Sequence, residues 1–183
     1  VVLFGNLKKH TKRKDAKIGD IICTTGPFGY TAAALDILLK KRKANKAFSK
    51  KSKNLFFRPN PRLEFGHKSA NIISSSIDSS DGLSTCLNEL SNQSKKRFLI
   101  TRIPTNKDVI EFSKKNNVSL NKLVFDGGEE FELVFTVMPK NLKKIRMLAK
   151  KSKISIFEIG HVSKGKGVFF DDGNSSFMIK DNG

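Results

Sequence analysis

The chain has 183 residues and a formal net charge of +18, from 35 Lys and Arg against 17 Asp and Glu. A hydrophobic fraction of 38% with 15 Phe favours a packed domain over disorder. The chain lacks an apolar run of about 18 residues, so no transmembrane helix and no membrane partner are predicted. We expect a cytoplasmic protein, because its cysteines are typical of reduced thiols. Cys23 and Cys86 lack CxxC spacing and are interpreted as buried, reduced thiols.

Apolar patterning in the first half of the chain predicts alternating strands and helices. Residues 19–26 form a short apolar run that ends in glycine, which indicates a buried strand. Residues 30–41 are rich in helix-forming residues, and a basic connector is expected at 40–53. The segment 58–62, RPNPR, is predicted to be extended, because each proline biases the preceding residue away from helix. A helix is then expected over 61–73.

The second half continues this alternation and predicts a layered α/β domain, that is, an α+β fold with a mixed sheet flanked by helices. In the segment 130–137, apolar residues alternate with Glu132, Val134 and Thr136, and this period of two predicts a strand with one apolar inner face. Strands are predicted at 72–78, 97–103, 130–137, 154–162 and 167–172, and helices at 82–90, 107–116 and 139–152.

The basic run at 40–53 has eight Lys or Arg and no acid. Such a patch can bind nucleic acid by neutralising phosphates. However, Lys outnumbers Arg 28 to 7, although Arg is the residue that reads bases, and only Phe48 in the run could stack on a base. The run is therefore interpreted as a helix end and a solvated surface loop, and a nucleic acid is not the expected partner.

The segment SIDSSDGL, residues 76–83, places Asp78, Ser80 and Asp81 between a predicted strand and the start of a predicted helix. Mg²⁺ takes oxygen ligands, typically one or two carboxylates together with substrate phosphates, and the free N–H groups of a helix start attract phosphate. The two Asp residues could therefore bind a metal. Alternatively, Asp81 caps the helix and Asp78 ends the strand. Spacing alone leaves both interpretations open.

A second acidic turn, VFDGGEEFELVF at 124–135, holds four of the 17 acidic residues. Gly127 and Gly128 allow a tight turn and close approach of a ligand to the backbone. Glu129, at the mouth of the turn, could hold a cationic or hydroxyl-bearing substrate. Alternatively, the segment is a glycine turn followed by solvated acids on the outer face of a strand.

A third turn, TTGPFGY, carries Gly26 and Gly29 between a predicted strand and a predicted helix. Its backbone N–H groups could cradle phosphates, or it could be a plain strand–helix connection. The P-loop pattern GxxxxGK[ST] is absent from the sequence.

Several segments in a fixed order carry a family resemblance: AKIGDIICTTGPFGYTAAAL, RPNPR, SIDSSDGL, DGGEEFELVFTV and IGHV. Together they closely resemble the C-terminal half of the thiamine-monophosphate kinase family, within the aminoimidazole ribonucleotide synthetase superfamily. The resemblance covers nearly the whole chain, and IDSSDGL and GGEEFEL are its most specific parts. It implies a Mg²⁺-dependent kinase that uses ATP to convert thiamine monophosphate to thiamine diphosphate in thiamine biosynthesis.

The positions that match the family imply roles for four residues. Asp78 and Asp81 would bind Mg²⁺, Ser80 would contact ATP, and Glu129 would bind the thiamine phosphate. No general base is assigned, so the catalytic residues are unknown.

The glycine turn departs from the family pattern at two positions. Tyr30 stands where the family usually has a small or acidic residue, and Ala34 stands where it often has glycine. Both departures bear on whether this turn contacts phosphate directly.

The resemblance also implies a domain organisation. Residues 1–12, which include the possible strand VVLFGNL, would end an N-terminal domain and its linker, and residues 13–183 would form the C-terminal α/β domain. In the family, the N-terminal domain dimerises and supplies further Mg²⁺-binding acids. We therefore expect a homodimer for the full-length protein, with thiamine monophosphate and ATP as its ligands, and an inactive isolated chain. An aromatic substrate contact would follow Gly183.

Two other classes of function stay open from the sequence. One is another ATP-using enzyme of the same superfamily, such as a selenophosphate or aminoimidazole ribonucleotide synthetase, which the sequence upstream of Val1 would discriminate. The other is a basic nucleic-acid-binding module. Salt-dependent binding to unrelated duplexes would favour that module, whereas the two acidic turns argue against it.

Overall fold

The computed structural model describes Gly5 and residues 10–181, so the possible strand at the start of the chain lies almost entirely outside the described residues. The strands are β1 (Ile21–Thr24), β2 (Ser75–Asp78), β3 (Arg97–Ile100), β4 (Leu133–Val137), β5 (Phe157–Ser163), β6 (Gly167–Asp171) and β7 (Ser176–Met178). The helices are α1 (Tyr30–Leu39), α2 (Lys46–Phe57), α3 (Leu63–Ser69), α4 (Leu83–Ser94), α5 (Lys107–Asn116), α6 (Leu120–Phe125) and α7 (Leu142–Lys151).

The strands of the described chain form one mixed sheet in the order β2-β4-β1-β5-β3-β6-β7. Strands β3 and β6 pair in parallel, and every other neighbouring pair is antiparallel. The predicted mixed sheet flanked by helices is confirmed. Strand β1 lies between β4 and β5, which are far from it in sequence.

The sheet is covered by helices on both faces. Successive side chains of a strand point to opposite faces, so Ile22 and Val134 pack with α4 and α6, whereas Cys23 and Phe135 pack with α3 and α7. Cys23 and Cys86 are free and buried, as predicted. Burial raises the pKa of both thiols, that of Cys86 to about 12, which makes them poor nucleophiles.

The basic run at 40–53 is only partly a connector, because α2 begins within it at Lys46. Phe48 is buried and stacks on Phe112 with 5.1 Å between ring centroids, so it belongs to a core that joins α1, α2 and α5. Lys51 Nζ donates hydrogen bonds to the hydroxyl of Tyr30 (2.5 Å) and to Oδ2 of Asp108 (2.9 Å). This lysine is part of the packing, whereas the sequence predicted a solvated surface for the whole run.

Strand β4 begins at Leu133, three residues later than predicted, because Phe131 has a left-handed φ of +53°. All four residues of 134–137 are buried, since β4 lies between β2 and β1 and is covered on both faces. The interpretation of a solvated outer face is therefore wrong, and Glu132 is also buried. The short elements α6 and β7 were not predicted from the sequence. The helix predicted over 61–73 is shorter, Leu63–Ser69.

A buried carboxyl group holds the start of α1. Glu130 Oε1 accepts a hydrogen bond from the N–H of Gly29 (2.9 Å), and Gly29 has a φ of +99°, which glycine adopts readily. This N–H is therefore not free to bind a phosphate, which favours a plain strand–helix connection. Oε2 of Glu130 is buried and has no hydrogen-bond partner among the described residues. Burial raises the pKa of Glu130 from 4.5 to about 8, against hydrogen bonds from Thr31 and Gly29 that lower it.

None of the helices in the described part of the chain has the length and apolar character needed to cross a bilayer.

We predict that Glu130 makes the folded state less stable as pH rises. Its carboxyl group keeps a proton in the folded state between its ordinary pKa of 4.5 and about 8, whereas the unfolded chain has released that proton. Its stabilising contribution is therefore complete below pH 4.5, falls by up to about 1.4 kcal/mol per pH unit across this window, and is gone above pH 8.

The measurement is the free energy of unfolding of wild type and Glu130→Gln from pH 5 to pH 8. The glutamine variant should become the more stable of the two as pH rises, because it does not titrate. Glu111→Gln, an exposed change on α5, is the matched control. Parallel stability curves for wild type and Glu130→Gln would contradict the prediction.

Candidate functional site

Backbone hydrogen bonds join the two acidic turns at one end of the sheet. The N–H of Glu129 donates to Ser80 O (2.8 Å), and the N–H of Phe131 donates to Ser79 O (3.1 Å). Two hydrogen bonds join Ser79 and Glu132. The N–H of Ser79 donates to Glu132 O (2.9 Å), and the N–H of Glu132 donates to Ser79 Oγ (3.0 Å). These bonds continue the antiparallel pairing of β2 with β4 beyond the ends of the strands.

The glycines of both turns permit this close approach. A Cβ atom on Gly128 would lie 2.7 Å from the carbonyl oxygen of Ser80. A Cβ atom on Gly82, which has a φ of +109°, would lie 3.2 Å from the carbonyl oxygens of Gly127 and Phe125. The two turns are therefore packed backbone against backbone, and a side chain at these glycines would force them apart.

Asp78 and Asp81 present exposed carboxylates at this junction. Asp78 ends β2, and Asp81 precedes Gly82, which is the N-cap residue of α4 and gives no side-chain cap. The alternative that Asp81 caps the helix is therefore wrong. Within the described residues, neither carboxylate accepts a hydrogen bond or forms an ion pair.

Two unpaired carboxylates fit the hard oxygen donors that Mg²⁺ prefers. The described residues contain no group of three or more His, Cys, Asp or Glu arranged to hold a metal ion. Asp78 and Asp81 alone could supply only part of a metal coordination sphere.

Glu129 is exposed and adopts a left-handed φ of +67°. This conformation is uncommon for a residue with a side chain and is found at functional sites more often than elsewhere. The hydrogen bond from its N–H to Ser80 O fixes the conformation. Its neighbours differ, since Glu130 and Glu132 turn inward, so the acids of this segment do not form one cluster.

A cleft of about 470 Å³ opens beside Glu129. Gly127, Gly128 and Glu129 line it, with apolar walls from Leu35 and Phe56. The basic run reaches the same cleft, whose charged lining is Asp36, Lys40, Arg42, Lys122, Asp126 and Glu129. The sequence analysis did not connect the basic run with the acidic turn, because some 80 residues separate them and only the packing of α1 on α2 and α6 brings them together.

A buried ion pair supports the site from behind. The guanidinium of Arg62 forms two hydrogen bonds with the Glu132 carboxylate, one of them from Nε to Oε2 (2.7 Å), and Thr25 Oγ1 also donates to Oε2 (2.6 Å). The hydrogen bond to Glu132 raises the pKa of Arg62. A Cβ atom on Gly26 would collide with this carboxylate. Arg62 and Thr25 carried no signal in the sequence, although the motifs RPNPR and TTG contain them.

The chain was compared with known proteins, and the relatives described here share one name. No family model matches the chain. The chain is 47% identical over 183 residues to the thiamine-monophosphate kinase of Nitrosopumilus maritimus, a match that covers 100% of this chain and 58% of the relative. It is 36% identical over 159 residues to the thiamine-monophosphate kinase of Pyrococcus horikoshii, covering 86% of this chain and 47% of the relative. The chain thus spans about half the length of the curated relatives it matches.

Solved structures share the fold. The thiamine-monophosphate kinase of Stenotrophomonas maltophilia superposes with a TM-score of 0.80 at 23% identity, over 90% of this chain and 54% of that one. The hydrogenase maturation protein HypE superposes with a TM-score of 0.66 at 16% identity, over 93% of this chain and 55% of that one. At such identities, the superpositions establish the fold alone. The sequence matches establish the family, and the chain belongs to the thiamine-monophosphate kinases.

Proposed function

We propose that the protein containing this chain transfers a phosphoryl group from ATP to thiamine monophosphate, and that this chain supplies one side of the active site. The observation that carries the proposal is the hydrogen-bonded junction of the two acidic turns. It joins the backbone of Ser80, which lies between Asp78 and Asp81 in the first turn, to the backbone of Glu129 in the second. A site for metal-bound phosphates and a site for a cationic acceptor are therefore neighbours, as transfer between them requires.

The roles follow from the chemistry of each side chain. Asp78 and Asp81 would hold Mg²⁺, which when bound neutralises phosphate charge. Ser80, beside them in the same turn, offers a hydroxyl to the nucleotide. Glu129 has a negative charge that suits the positively charged thiazolium ring of thiamine. A related solved structure, AaThiL, was complexed with AMPPCP and TMP; it is 24% identical to this chain and superposes with a TM-score of 0.76.

Direct in-line transfer needs no general base from this chain. The acceptor atom is a phosphate oxygen, which is already ionised at neutral pH, so no proton has to be removed before it attacks. The protein then acts mainly by fixing the acceptor and the nucleotide in register and by offsetting their charge repulsion. This agrees with a site in which we assign no catalytic base.

The relatives favour this activity over the other classes considered. Those with 47% and 36% identity are both named thiamine-monophosphate kinases, whereas a selenophosphate or aminoimidazole ribonucleotide synthetase activity and a nucleic-acid-binding role have no such support. We further propose a cytoplasmic homodimer in which residues 13–183 form the C-terminal domain and residues 1–12 lead into it from an N-terminal domain. The length of the relatives supports the second domain.

We predict that Asp81→Asn in the full-length protein lowers kcat/KM by at least about a hundredfold, because it removes a negative metal ligand and keeps the shape of the side chain. High Mg²⁺ should restore part of the activity, since mass action offsets a weakened site. Steady-state kinetics across a Mg²⁺ titration is the measurement. Asp15→Asn, an exposed change elsewhere, is the control. Wild-type kinetics for Asp81→Asn at every Mg²⁺ concentration would remove Asp81 from the site.

We also predict that residues 1–183 alone do not phosphorylate thiamine monophosphate. The described residues offer two metal-binding carboxylates and no group of three, so the site is incomplete without further ligands. Precise positioning of the reactants accounts for roughly 7–11 kcal/mol of barrier lowering. An active site that lacks one of its two sides would lose most of this contribution.

The test compares the purified chain with the full-length protein in ATP, Mg²⁺ and thiamine monophosphate, after a cooperative thermal transition has confirmed that the chain is folded. Turnover by the folded chain within tenfold of the full-length enzyme would refute an active site shared between two domains.

A further inference from the structure

The backbone next to Arg42 is held against α5 by the side chain of Asn116. Asn116, at the end of α5, accepts a hydrogen bond from the N–H of Lys43 at its Oδ1 (3.0 Å) and donates from Nδ2 to the carbonyl oxygen of Lys43 (2.9 Å). Nδ2 also donates to the carbonyl oxygen of Phe112 (3.0 Å). One amide side chain therefore clamps the backbone next to Arg42 against α5. The connector before α2 is held in place over the cleft.

Three basic groups of the described residues line the cleft, Lys40, Arg42 and Lys122, and Arg42 is the one that carries a guanidinium. Lys40 forms an ion pair with Asp36 (2.6 Å). Arg42 forms no ion pair with a carboxylate of the described residues. Its guanidinium makes one long contact, from Nη1 to the carbonyl oxygen of Asn116 (3.5 Å).

The lining of the cleft therefore suits a ligand that carries charges of both signs. Glu129 offers a negative charge beside the Gly127–Gly128 turn, Arg42 offers a positive charge, and Phe56 offers an aromatic face between apolar neighbours. A guanidinium binds phosphate through two parallel hydrogen bonds, which makes such a contact both strong and directional. A cationic ring joined to a phosphate matches this arrangement better than a neutral or purely anionic molecule does.

We propose that Arg42 binds the phosphate of the acceptor and is a specificity-determining residue for a phosphorylated organic cation. This inference rests on the proposed function and adds the group that distinguishes the phosphorylated acceptor from the free alcohol. Asn116 is a positioning residue, because its amide holds the backbone that carries Arg42. The guanidinium takes two phosphate oxygens and leaves the third free to attack.

The test uses the full-length protein and the variants Arg42→Met, Arg42→Lys and Asn116→Ala. Arg42→Met should raise KM for thiamine monophosphate by about tenfold or more, because it removes a charge-assisted contact, while KM for ATP stays within about twofold. The KM of Arg42→Lys for thiamine monophosphate should lie between those of wild type and Arg42→Met, because lysine keeps the positive charge but cannot form two parallel hydrogen bonds. Asn116→Ala should raise KM for thiamine monophosphate in the same direction.

The control variant is Lys41→Met, which removes a neighbouring exposed charge that does not line the cleft. Calorimetric titration supplies a readout that a purely structural role would not change. Arg42→Met should lose affinity for thiamine monophosphate and keep its affinity for thiamine, which lacks the phosphate. A thermal midpoint within about 2 °C of wild type confirms that each variant is folded.

Three outcomes would overturn the inference. The first is equal kinetics for Arg42→Met and Lys41→Met. The second is a rise in KM for ATP instead of thiamine monophosphate, which would assign Arg42 to the nucleotide. The third is equal loss of affinity for thiamine and thiamine monophosphate. A wild-type protein that fails to phosphorylate thiamine monophosphate would refute the proposed function itself, and that result is obtained before any variant is measured.

Discussion

The junction between residues 79–80 and 129–132 is the constraint on which the site depends. Three of its four hydrogen bonds join backbone atoms, and the fourth uses the buried Ser79 hydroxyl. The junction continues the pairing of two strands whose register is fixed by the buried sheet. Because glycines bring the turns into direct contact, the backbone positions that carry the exposed acids are fixed relative to each other. The irregular backbone of residues 129–132 is thus held in place by the sheet that it adjoins.

The acids of the second turn divide into two groups by environment. Glu130 and Glu132 face inward, where one holds the start of α1 and the other forms an ion pair with Arg62. Glu129 faces outward into the cleft. A buried ion pair is costly to break, since either partner alone would be an uncompensated charge. The inward acids therefore fix the turn, whereas Glu129 is available to a ligand.

The mixed sheet, most of its strands and the placement of four candidate site residues followed from the sequence, because strand and helix periodicities are local and the two acidic motifs lie at strand ends. Helix α2 was missed, since lysines separate its first apolar residues, such as Phe48, from those at its end. The burial of Glu132 was missed because its partner Arg62 lies 70 residues away. The contribution of Arg42 to the cleft depends in the same way on packing between distant segments.

The position of β1 in the sheet has a consequence for how the chain folds during synthesis. Its backbone groups pair with β4 and β5, so residues 21–24 find their partners only in residues 133–163. A ribosome that adds roughly 5–20 residues per second exposes this apolar strand for several seconds before either neighbour exists. Strand β1 is synthesised before the other strands of this sheet but can pair only after β4 and β5 have been made. Such non-local pairing makes folding slow. The nascent chain therefore passes through a period in which this apolar strand is unpaired and prone to aggregate.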